Sequence, residues 1–252
     1  MGDIAPDGSM LRNDSEWDMR CDMAAAFRLS WRFRLNAGIG NHFSLMLPDH
    51  DDRFLVNARG LLFQEITASN LLTVDFTGHV HSGGRPVRSV AYNIHAPIHR
   101  ANAQAKCLIH LHPPNITALS MLENGRLALA HHDNLIVNDR ICYDDAMTGP
   151  ALAAGEGDRL ADVLGDKTIM VMANHGVLAV GPTVEDAFHE LTVVEDVCGY
   201  QLRAMSTGQP LRAQPPELQW GYKGRWGDKL DSRLYLDAWR RILDKEEPDY
   251  AH

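Results

Sequence analysis

The stretch Lys106-Cys-Leu-Ile-His-Leu-His112 decides both the predicted fold and the predicted chemistry of this chain. Its apolar run is typical of a strand in the protein interior. Side chains alternate between the two faces of a strand, so His110 and His112 are predicted to lie on the same face. Two imidazoles on one face of a rigid strand can bind a single metal ion. Pro113 and Pro114 follow, and they favour the end of the strand and the first turn of a helix.

A third histidine, His175, lies in Met172-Ala-Asn-His-Gly-Val-Leu178, where another strand is expected to end before a glycine. A lone histidine in an apolar segment is more often a hydrogen-bonded core residue than a ligand. A His-x-His pair at a strand end, followed later by Asn-His-Gly, favours a metal site instead. Three imidazoles also leave coordination positions open for water or substrate. The sequence therefore predicts one divalent metal ion bound by His110, His112 and His175.

The composition limits the class of protein and its partners. The chain has 252 residues, 45% of them hydrophobic, which suits one large α/β domain. A net charge of −9 without a basic run argues against a nucleic-acid partner. The four cysteines are scattered, which favours a reduced, cytoplasmic protein over a disulfide framework. No apolar run approaches the ~18 residues of a membrane span, and no signal peptide is visible, so no membrane partner is expected.

Hydrophobic periodicity and capping patterns predict alternating helices and strands along the chain. Helices are expected at residues 15–34, 89–103, 114–121, 149–164, 183–205 and 228–245. Strands are expected at residues 42–47, 54–57, 71–76, 106–112, 127–130, 135–137, 168–172 and 177–180. These elements predict a single three-layer α/β/α domain with a mostly antiparallel central sheet.

The predicted domain occupies residues 14–208. Residues 1–13 form a polar leader that is expected to be loosely ordered. Residues 209–252 combine an aromatic-rich loop with a last helix, which should pack on the same domain or at a subunit interface.

Several motifs occur in a fixed order and together resemble a known family. They are Gly40-Asn-x-x-Ser44, Asn57-Ala-Arg-Gly60, Val74-Asp-Phe-Thr-Gly78, His95-x-x-x-His99, His110-x-His112 and Asn174-His-Gly176. From about residue 15 to 207 the chain resembles the class II aldolase/adducin family. The resemblance implies that His110, His112 and His175 bind a divalent metal, which could be zinc, manganese or iron. It also implies a homo-oligomer, a tetramer, with sites near the subunit interfaces.

The chain departs from the sugar-phosphate aldolases of this family at their acid/base position. Those enzymes carry a glutamate on the helix before the histidine strand, and the matching position here is Ala91. An alanine cannot carry a proton, which argues against ordinary sugar-phosphate cleavage. His95 and His99 share a helix face with Ala91, so His95 is a candidate proton carrier. The alternative is that both histidines are structural hydrogen-bonding residues.

The phosphate-binding residues of those aldolases are only partly kept. Asn41, Gly60 and Ser89 are retained, whereas Arg59 stands where threonine is usual and Val90 replaces a second serine. Guanidinium binds a carboxylate through two parallel hydrogen bonds. The predicted partner is therefore a small-molecule carboxylate bound by Asn41, Arg59, Gly60 and Ser89.

Two further residues are weaker candidates. His132 lies in a loop where family members reach a neighbouring subunit's site, although a solvated turn would have the same sequence. Tyr143 could donate a phenolic proton or cap the following helix.

The sequence as a whole predicts a metal-dependent lyase that decarboxylates or cleaves a small carboxylated substrate. One alternative is a non-haem Fe(II) oxygenase on the same fold, because three histidines and open positions also suit iron. The other is a non-catalytic, adducin-like interaction protein. We rank that alternative last, because the chain ends in an acidic rather than a basic segment.

Overall fold

The computed structural model describes residues 15–146, 155–215 and 231–252. The strands are β1 (His42–Met46), β2 (Arg53–Val56), β3 (Leu72–Asp75), β4 (Val80–Ser82), β5 (Cys107–Leu111), β6 (Ile141–Asp144), β7 (Ile169–Met172) and β8 (Gly176–Gly181). The helices are α1 (Glu16–Arg32), α2 (Ser89–Ala101), α3 (Pro114–Ser120), α4 (Asn134–Val137), α5 (Glu156–Leu164), α6 (Val184–Met205) and α7 (Ser232–Glu246). Short 3₁₀ turns lie at Phe63–Glu65, Ala68–Asn70, Asn138–Arg140 and Pro248–Ala251.

The eight strands form one sheet in the order β4-β3-β2-β1-β5-β8-β7-β6. Every neighbouring pair is antiparallel except β6 and β7, which are parallel. Helices α1, α6 and α7 cover one face of the sheet, and α2 and α5 pack against each other over the opposite face. The prediction of a three-layer α/β/α domain with a mostly antiparallel sheet is therefore confirmed.

Strand β5 lies near the middle of the sheet and contributes side chains to both cores. Cys107, Ile109 and Leu111 belong to the core on the α1 and α6 side, and Leu108 belongs to the core under α2 and α5. Because side chains alternate along a strand, His110 lies on the same side as Leu108. The pleat of β5 thus directs its histidines towards α2 and α5.

Two helix starts follow the predicted capping pattern. The Ser15 hydroxyl accepts a hydrogen bond from the Asp18 amide at 3.2 Å at the start of α1. The Thr183 hydroxyl accepts one from the Asp186 amide at 3.2 Å at the start of α6. Each satisfies an amide that the helix leaves without an intrahelical acceptor.

The strands predicted at residues 127–130 and 135–137 are wrong. Residues 127–130 have no regular structure, because the Gln201 side chain on α6 takes the hydrogen bonds that a neighbouring strand would provide. Its amide oxygen accepts from the Ala128 amide at 2.7 Å, and its amide nitrogen donates to the Arg126 carbonyl at 2.9 Å. Residues 135–137 lie in the short helix α4. Short apolar segments fit either structure, so periodicity alone does not distinguish them.

Strand β6 was missed by the sequence prediction. It pairs with β7 in parallel, with Ile141 opposite Ile169. Its short sequence ends in Asp144, so it does not show the apolar run expected of an interior strand. The part of the predicted helix 149–164 before residue 155, the leader at 1–13 and the start of the predicted last helix lie outside the described residues.

An ion-pair cluster joins α1 to the C-terminal segment, and we call Asp22, Arg28, Arg233, Arg240 and Asp249 the α1 ion-pair cluster. Asp22 is 3% exposed and accepts hydrogen bonds from Arg233 at 2.6 Å and Arg240 at 2.5 Å. Arg28 donates to Asp249 at 2.6 Å and to the Ile66 carbonyl at 2.9 Å. The last helix and the C-terminal turn are therefore held against α1. In the described part of the chain, no helix has both the length and the apolar character needed to cross a bilayer.

Candidate metal centre

The structure brings the three predicted ligands together. His110 and His112 lie at the end of β5, and His175 lies in the turn between β7 and β8. The ring centroids are 4.9 Å apart for His110 and His112, 5.0 Å for His110 and His175, and 4.8 Å for His112 and His175. One nitrogen from each ring lies within 4.8 Å of the others. Residues more than sixty positions apart thus converge on one point.

The Asn-His-Gly motif explains how His175 reaches the other two rings. Asn174 has a φ of +54°, a left-handed conformation that asparagine tolerates better than most residues. Met172 pairs with Gly176 across this tight turn. A Cβ atom on Gly176 would lie 2.4 Å from the Leu111 carbonyl oxygen and 2.6 Å from Cδ2 of His112. Glycine therefore allows β8 to approach β5 closely enough for His175 to meet His112.

The protonation of the three rings suits metal binding. Nδ1 of His110 donates a hydrogen bond to the Val177 carbonyl at 3.1 Å, so Nε2 carries the lone pair that can bind a metal. Burial, together with the neighbouring imidazoles, holds the pKa of His110 well below its ordinary value. The same causes lower the pKa of His112 to about 4, and burial lowers the pKa of His175. All three rings are therefore neutral near pH 7, as ligands must be.

The spacing of the nitrogens also fits a metal ion. Nε2 of His110 and Nε2 of His112 are 3.1 Å apart. Two nitrogens bound tetrahedrally at the usual ~2.0–2.1 Å from zinc lie about 3.3 Å apart. Among the described residues, the cluster contains three neutral imidazole nitrogens and no thiolate. Such ligands suit a divalent transition metal of intermediate hardness that keeps open coordination positions. The residues present therefore fit the metal that the sequence predicts.

The histidine cluster faces a cavity of about 450 Å³, a volume typical of small-molecule sites. Its lining includes Arg88 and His42, with His42 on β1, and also Asp144 and Glu156, with Asp144 on β6, four strands away from β1 in the sheet. We call these two sides of the cavity its opposite walls. Arg88 precedes α2 and donates to the Ile39 carbonyl at 3.1 Å. On the opposite wall, Arg159 contacts both Asp144 and Glu156 through hydrogen bonds of 2.7–3.0 Å. A salt bridge therefore partly neutralises the acidic wall.

His95, the predicted proton carrier, lines the cavity, but both of its ring nitrogens form hydrogen bonds to other side chains of the protein. Its Nε2 lies 2.9 Å from Nδ1 of His42, and its Nδ1 lies 2.6 Å from the Ser44 hydroxyl. The same hydroxyl lies 2.8 Å from Nε2 of His99, whose Nδ1 donates to the Ala105 carbonyl at 2.6 Å. We call His42, His95, Ser44 and His99 the histidine chain.

The sequence analysis missed His42 as a site residue. The available signal was the strand His-Phe-Ser-Leu-Met, in which two polar residues, His42 and Ser44, share one face of an otherwise apolar segment. The register places His42 directly opposite His110. Burial, with His95 as the next contributor, holds the pKa of His42 well below its ordinary value.

Six other predicted site residues do not line the cavity. Arg59 and Gly60 are exposed, and Ser89 is half-buried beside Arg88. Asn41 is buried next to His42. Its Oδ1 accepts from the Ala37 amide at 2.7 Å, and its Nδ2 has no acceptor among the described residues.

The other two of these six lie further along the chain. His132 is exposed, with Nδ1 3.6 Å from the Asp133 carboxylate. The Tyr143 hydroxyl accepts from the Leu127 amide at 2.9 Å, and the Arg126 guanidinium lies 4.2 Å from the centre of its ring. Burial raises the pKa of this phenol. The contacts of Tyr143 are those of a packed structural residue, and catalytic or substrate-binding roles for these six residues stay predictions.

Fold and site together define an α/β/α protein with three convergent histidines over a small-molecule cavity. Residues 21–202 match the family described as the class II aldolase and adducin N-terminal domain. The chain therefore belongs to the class II aldolase and adducin family, which confirms the resemblance found in the sequence.

Individual relatives differ in how much of their length the match covers. The chain is 32% identical to a Caulobacter vibrioides protein provisionally named an aldolase class 2 protein, over 95% of this chain and 94% of that one. A crystal structure of an aldolase II superfamily protein from Pseudomonas syringae matches with a TM-score of 0.87 and 34% identity, over 96% of this chain and 98% of that one. Human beta-adducin is 32% identical over 75% of this chain, which corresponds to 26% of the adducin.

Proposed function

We propose that this protein is a metal-dependent lyase that decarboxylates a small carboxylated substrate or cleaves one of its carbon–carbon bonds. The observation that carries the proposal is the convergence of three neutral imidazoles on a cavity that also contains an arginine. His110, His112 and His175 would hold one divalent ion, zinc, manganese or iron, because imidazole suits each of them. When bound, the ion supplies a Lewis acid that polarises a carbonyl and stabilises negative charge beside it.

Arg88 is the residue best placed to bind the substrate's carboxylate. Arg88 lines the cavity, and a carboxylate could accept two parallel hydrogen bonds from its guanidinium. Arg59, which the sequence analysis favoured, is exposed and does not line the cavity. The carboxylate would then lie towards the start of α2, away from the acidic wall formed by Asp144 and Glu156.

Proton transfer in this site cannot use the position occupied by glutamate in the sugar-phosphate aldolases. Ala91 stands there, 1% exposed, with only a methyl group. A proton on His95 can move only along its hydrogen bonds to His42 and Ser44. His95 therefore acts through His42, its neighbour on the cavity wall.

The substitution His112→Ala tests the proposal. It should abolish both the bound metal, measured by elemental analysis of the purified protein, and the decarboxylation or cleavage of a panel of hydroxy and keto acids. His79→Ala, which changes an exposed histidine away from the cluster, is the matched control and should retain both. Undiminished turnover in His112→Ala would refute the metal-dependent mechanism.

The similarity to beta-adducin supports one alternative, a non-catalytic interaction protein. The same elemental analysis distinguishes it, because a binding protein of that kind needs no metal at the three histidines. A three-histidine site also suits Fe(II), so the oxygenase alternative predicts oxygen uptake with Fe(II) and none with Zn(II). The homotetramer with interface-proximal sites and the cytoplasmic location remain predictions, which sedimentation analysis and cell fractionation would test.

A further inference from the structure

The histidine chain begins at a group that can only accept a hydrogen bond. The Ala105 carbonyl lies 2.6 Å from Nδ1 of His99, so this nitrogen must carry the proton. His99 is 8% exposed and His95 is fully buried. No carboxylate among the described residues hydrogen-bonds to either ring. Both rings are neutral near pH 7, since burial disfavours the charged form.

A neutral imidazole has one N–H and one lone pair, so the first donor fixes every later one. Nε2 of His99 therefore carries no proton and must accept a hydrogen bond from the Ser44 hydroxyl. The Ser44 oxygen then accepts from Nδ1–H of His95, whose Nε2 becomes the lone pair. That lone pair requires Nδ1 of His42 to be the donor across the 2.9 Å contact. The reverse direction would leave the Ala105 carbonyl facing another lone pair.

At the other end of the histidine chain, Nε2 of His42 therefore carries no proton, and its lone pair is free to accept a hydrogen bond. His42 lines the cavity, and its ring centroid lies 5.1 Å from that of His110. Among the described residues, the only hydrogen-bond contact of the His42 ring is the one from Nδ1 to His95. Nε2 of His42 is not among the buried side-chain atoms that lack a partner, so a ligand in the cavity can reach it and donate a hydrogen bond to it.

We propose that His42 determines substrate specificity by accepting a hydrogen bond from a substrate hydroxyl, with Ser44, His95 and His99 as positioning residues that fix its tautomer. Arg88 provides donors for a carboxylate in the same wall of the cavity. A hydroxy acid satisfies both residues, because its carboxylate accepts and its hydroxyl donates. A keto acid would place a second lone pair against Nε2 of His42. This selectivity for hydroxy acids rests on the proposed function, whereas the tautomer does not.

Nitrogen-15 spectra of the full-length chain with labelled histidines test the tautomer. Near neutral pH, His42 should show a protonated Nδ1 and an unprotonated Nε2, with its signals assigned by their loss in His42→Gln. Ser44→Ala removes the link between His99 and His95, so His42 should shift towards a mixture of tautomers. Ser30→Ala is the matched control, because Ser30 is also fully buried and its hydroxyl donates to the Ala26 carbonyl on α1. A protonated Nε2 in the unmodified protein would overturn the inference.

Calorimetric binding of lactate and pyruvate to the metal-loaded protein tests the substrate class. Lactate should bind about tenfold more tightly than pyruvate, the ratio expected from one hydrogen bond gained and one clash of lone pairs avoided. The preference should largely disappear in Ser44→Ala and persist in Ser30→Ala. Equal binding of both acids to the unmodified protein would overturn the inference and leave the lyase proposal standing. Failure of both acids to bind would overturn the carboxylate site and, with it, this inference.

Discussion

The two faces of the sheet bury polar groups in opposite ways. In the α1 ion-pair cluster the buried groups are charged, and each meets an opposite charge, as Asp22 does with Arg233 and Arg240. On the other face, beside the Asp144–Arg159 salt bridge, histidines are buried as neutral rings, and a hydrogen-bond chain among them leaves lone pairs facing a cavity. Pairing within the protein stabilises the fold. Lone pairs left towards a cavity are available to a ligand.

We therefore expect substitutions on the first face to change mainly the stability of the fold, and substitutions on the second face to change mainly metal binding. Breaking the α1 ion-pair cluster should lower the free energy of unfolding without changing the metal centre. Removing an exposed ligand should weaken metal binding with little effect on the metal-free fold.

The largest expected effect is on metal affinity in His175→Ala. Structural zinc sites bind with ~10–16 kcal/mol, so the loss of one ligand should cost about 4 kcal/mol, or about a thousandfold in affinity. His175 lies on the exposed side of the cluster, so the unfolding of the metal-free protein should be almost unchanged. Competition with a chelator measures the first quantity and urea unfolding the second. A variant that is as destabilised as it is metal-deficient would contradict the separation.

The next effect is on stability in Asp22→Ala. Its removal leaves Arg233 and Arg240 without their buried carboxylate, which should cost about 3 kcal/mol because both arginines are partly exposed. Urea unfolding gives the value, and metal content should stay normal. Glu246→Ala is the control, since this 58% exposed residue pairs with Arg32 at the surface and should change stability by less than about 0.5 kcal/mol. Equal losses in both variants would refute the importance of burial.

The convergence of His110, His112 and His175 could be predicted from the sequence because each part of the cluster is a local pattern. His110-x-His112 follows from strand alternation, and Asn174-His-Gly176 follows from the conformational needs of a tight turn. The sheet and the helix caps were predictable for the same reason. The strand predicted at 127–130 is absent because its backbone hydrogen-bonds to a side chain distant in sequence, Gln201. The strand predicted at 135–137 is absent because a short apolar segment fits a helix equally well.

The cavity walls could not be predicted, because they depend on pairings that no short segment contains. The pairing of β1 with β5 places His42 beside His110, and the position of α2 over β1 places His95 and His99 on Ser44. Whether Arg59 or Arg88 lines the cavity depends on where the preceding loop joins the start of α2. These are contacts between residues about fifty or more positions apart.

The pH dependence of stability should report on the histidine chain. Burial lowers the pKa of His99 from 6.5 to about 4. The unfolded chain therefore binds a proton between these values that the folded chain does not, so stability falls as pH decreases through this window. By about pH 5 the loss from His99 should be about 2 kcal/mol. Urea unfolding at several pH values should show a smaller loss in His99→Gln, and an identical profile would contradict the assignment.

Gly176→Ala should have the smallest of these main effects, and it acts on both the fold and the site. The added Cβ would meet the Leu111 carbonyl at 2.4 Å and Cδ2 of His112 at 2.6 Å, so β8 must move away from β5. Crowding of this kind should cost about 1.5 kcal/mol of stability. Because the same movement carries His175 away from His112, metal affinity should fall by more than the stability loss alone implies.

Gly181→Ala provides the comparison, since its Cβ would lie 2.9 Å from the Ala187 amide nitrogen at the opposite end of β8, away from the three histidines. It should lower stability without a comparable change in chelator competition. If Gly176→Ala loses stability but binds metal normally, the cluster tolerates strand displacement, and the close approach of β8 serves only the packing of the sheet.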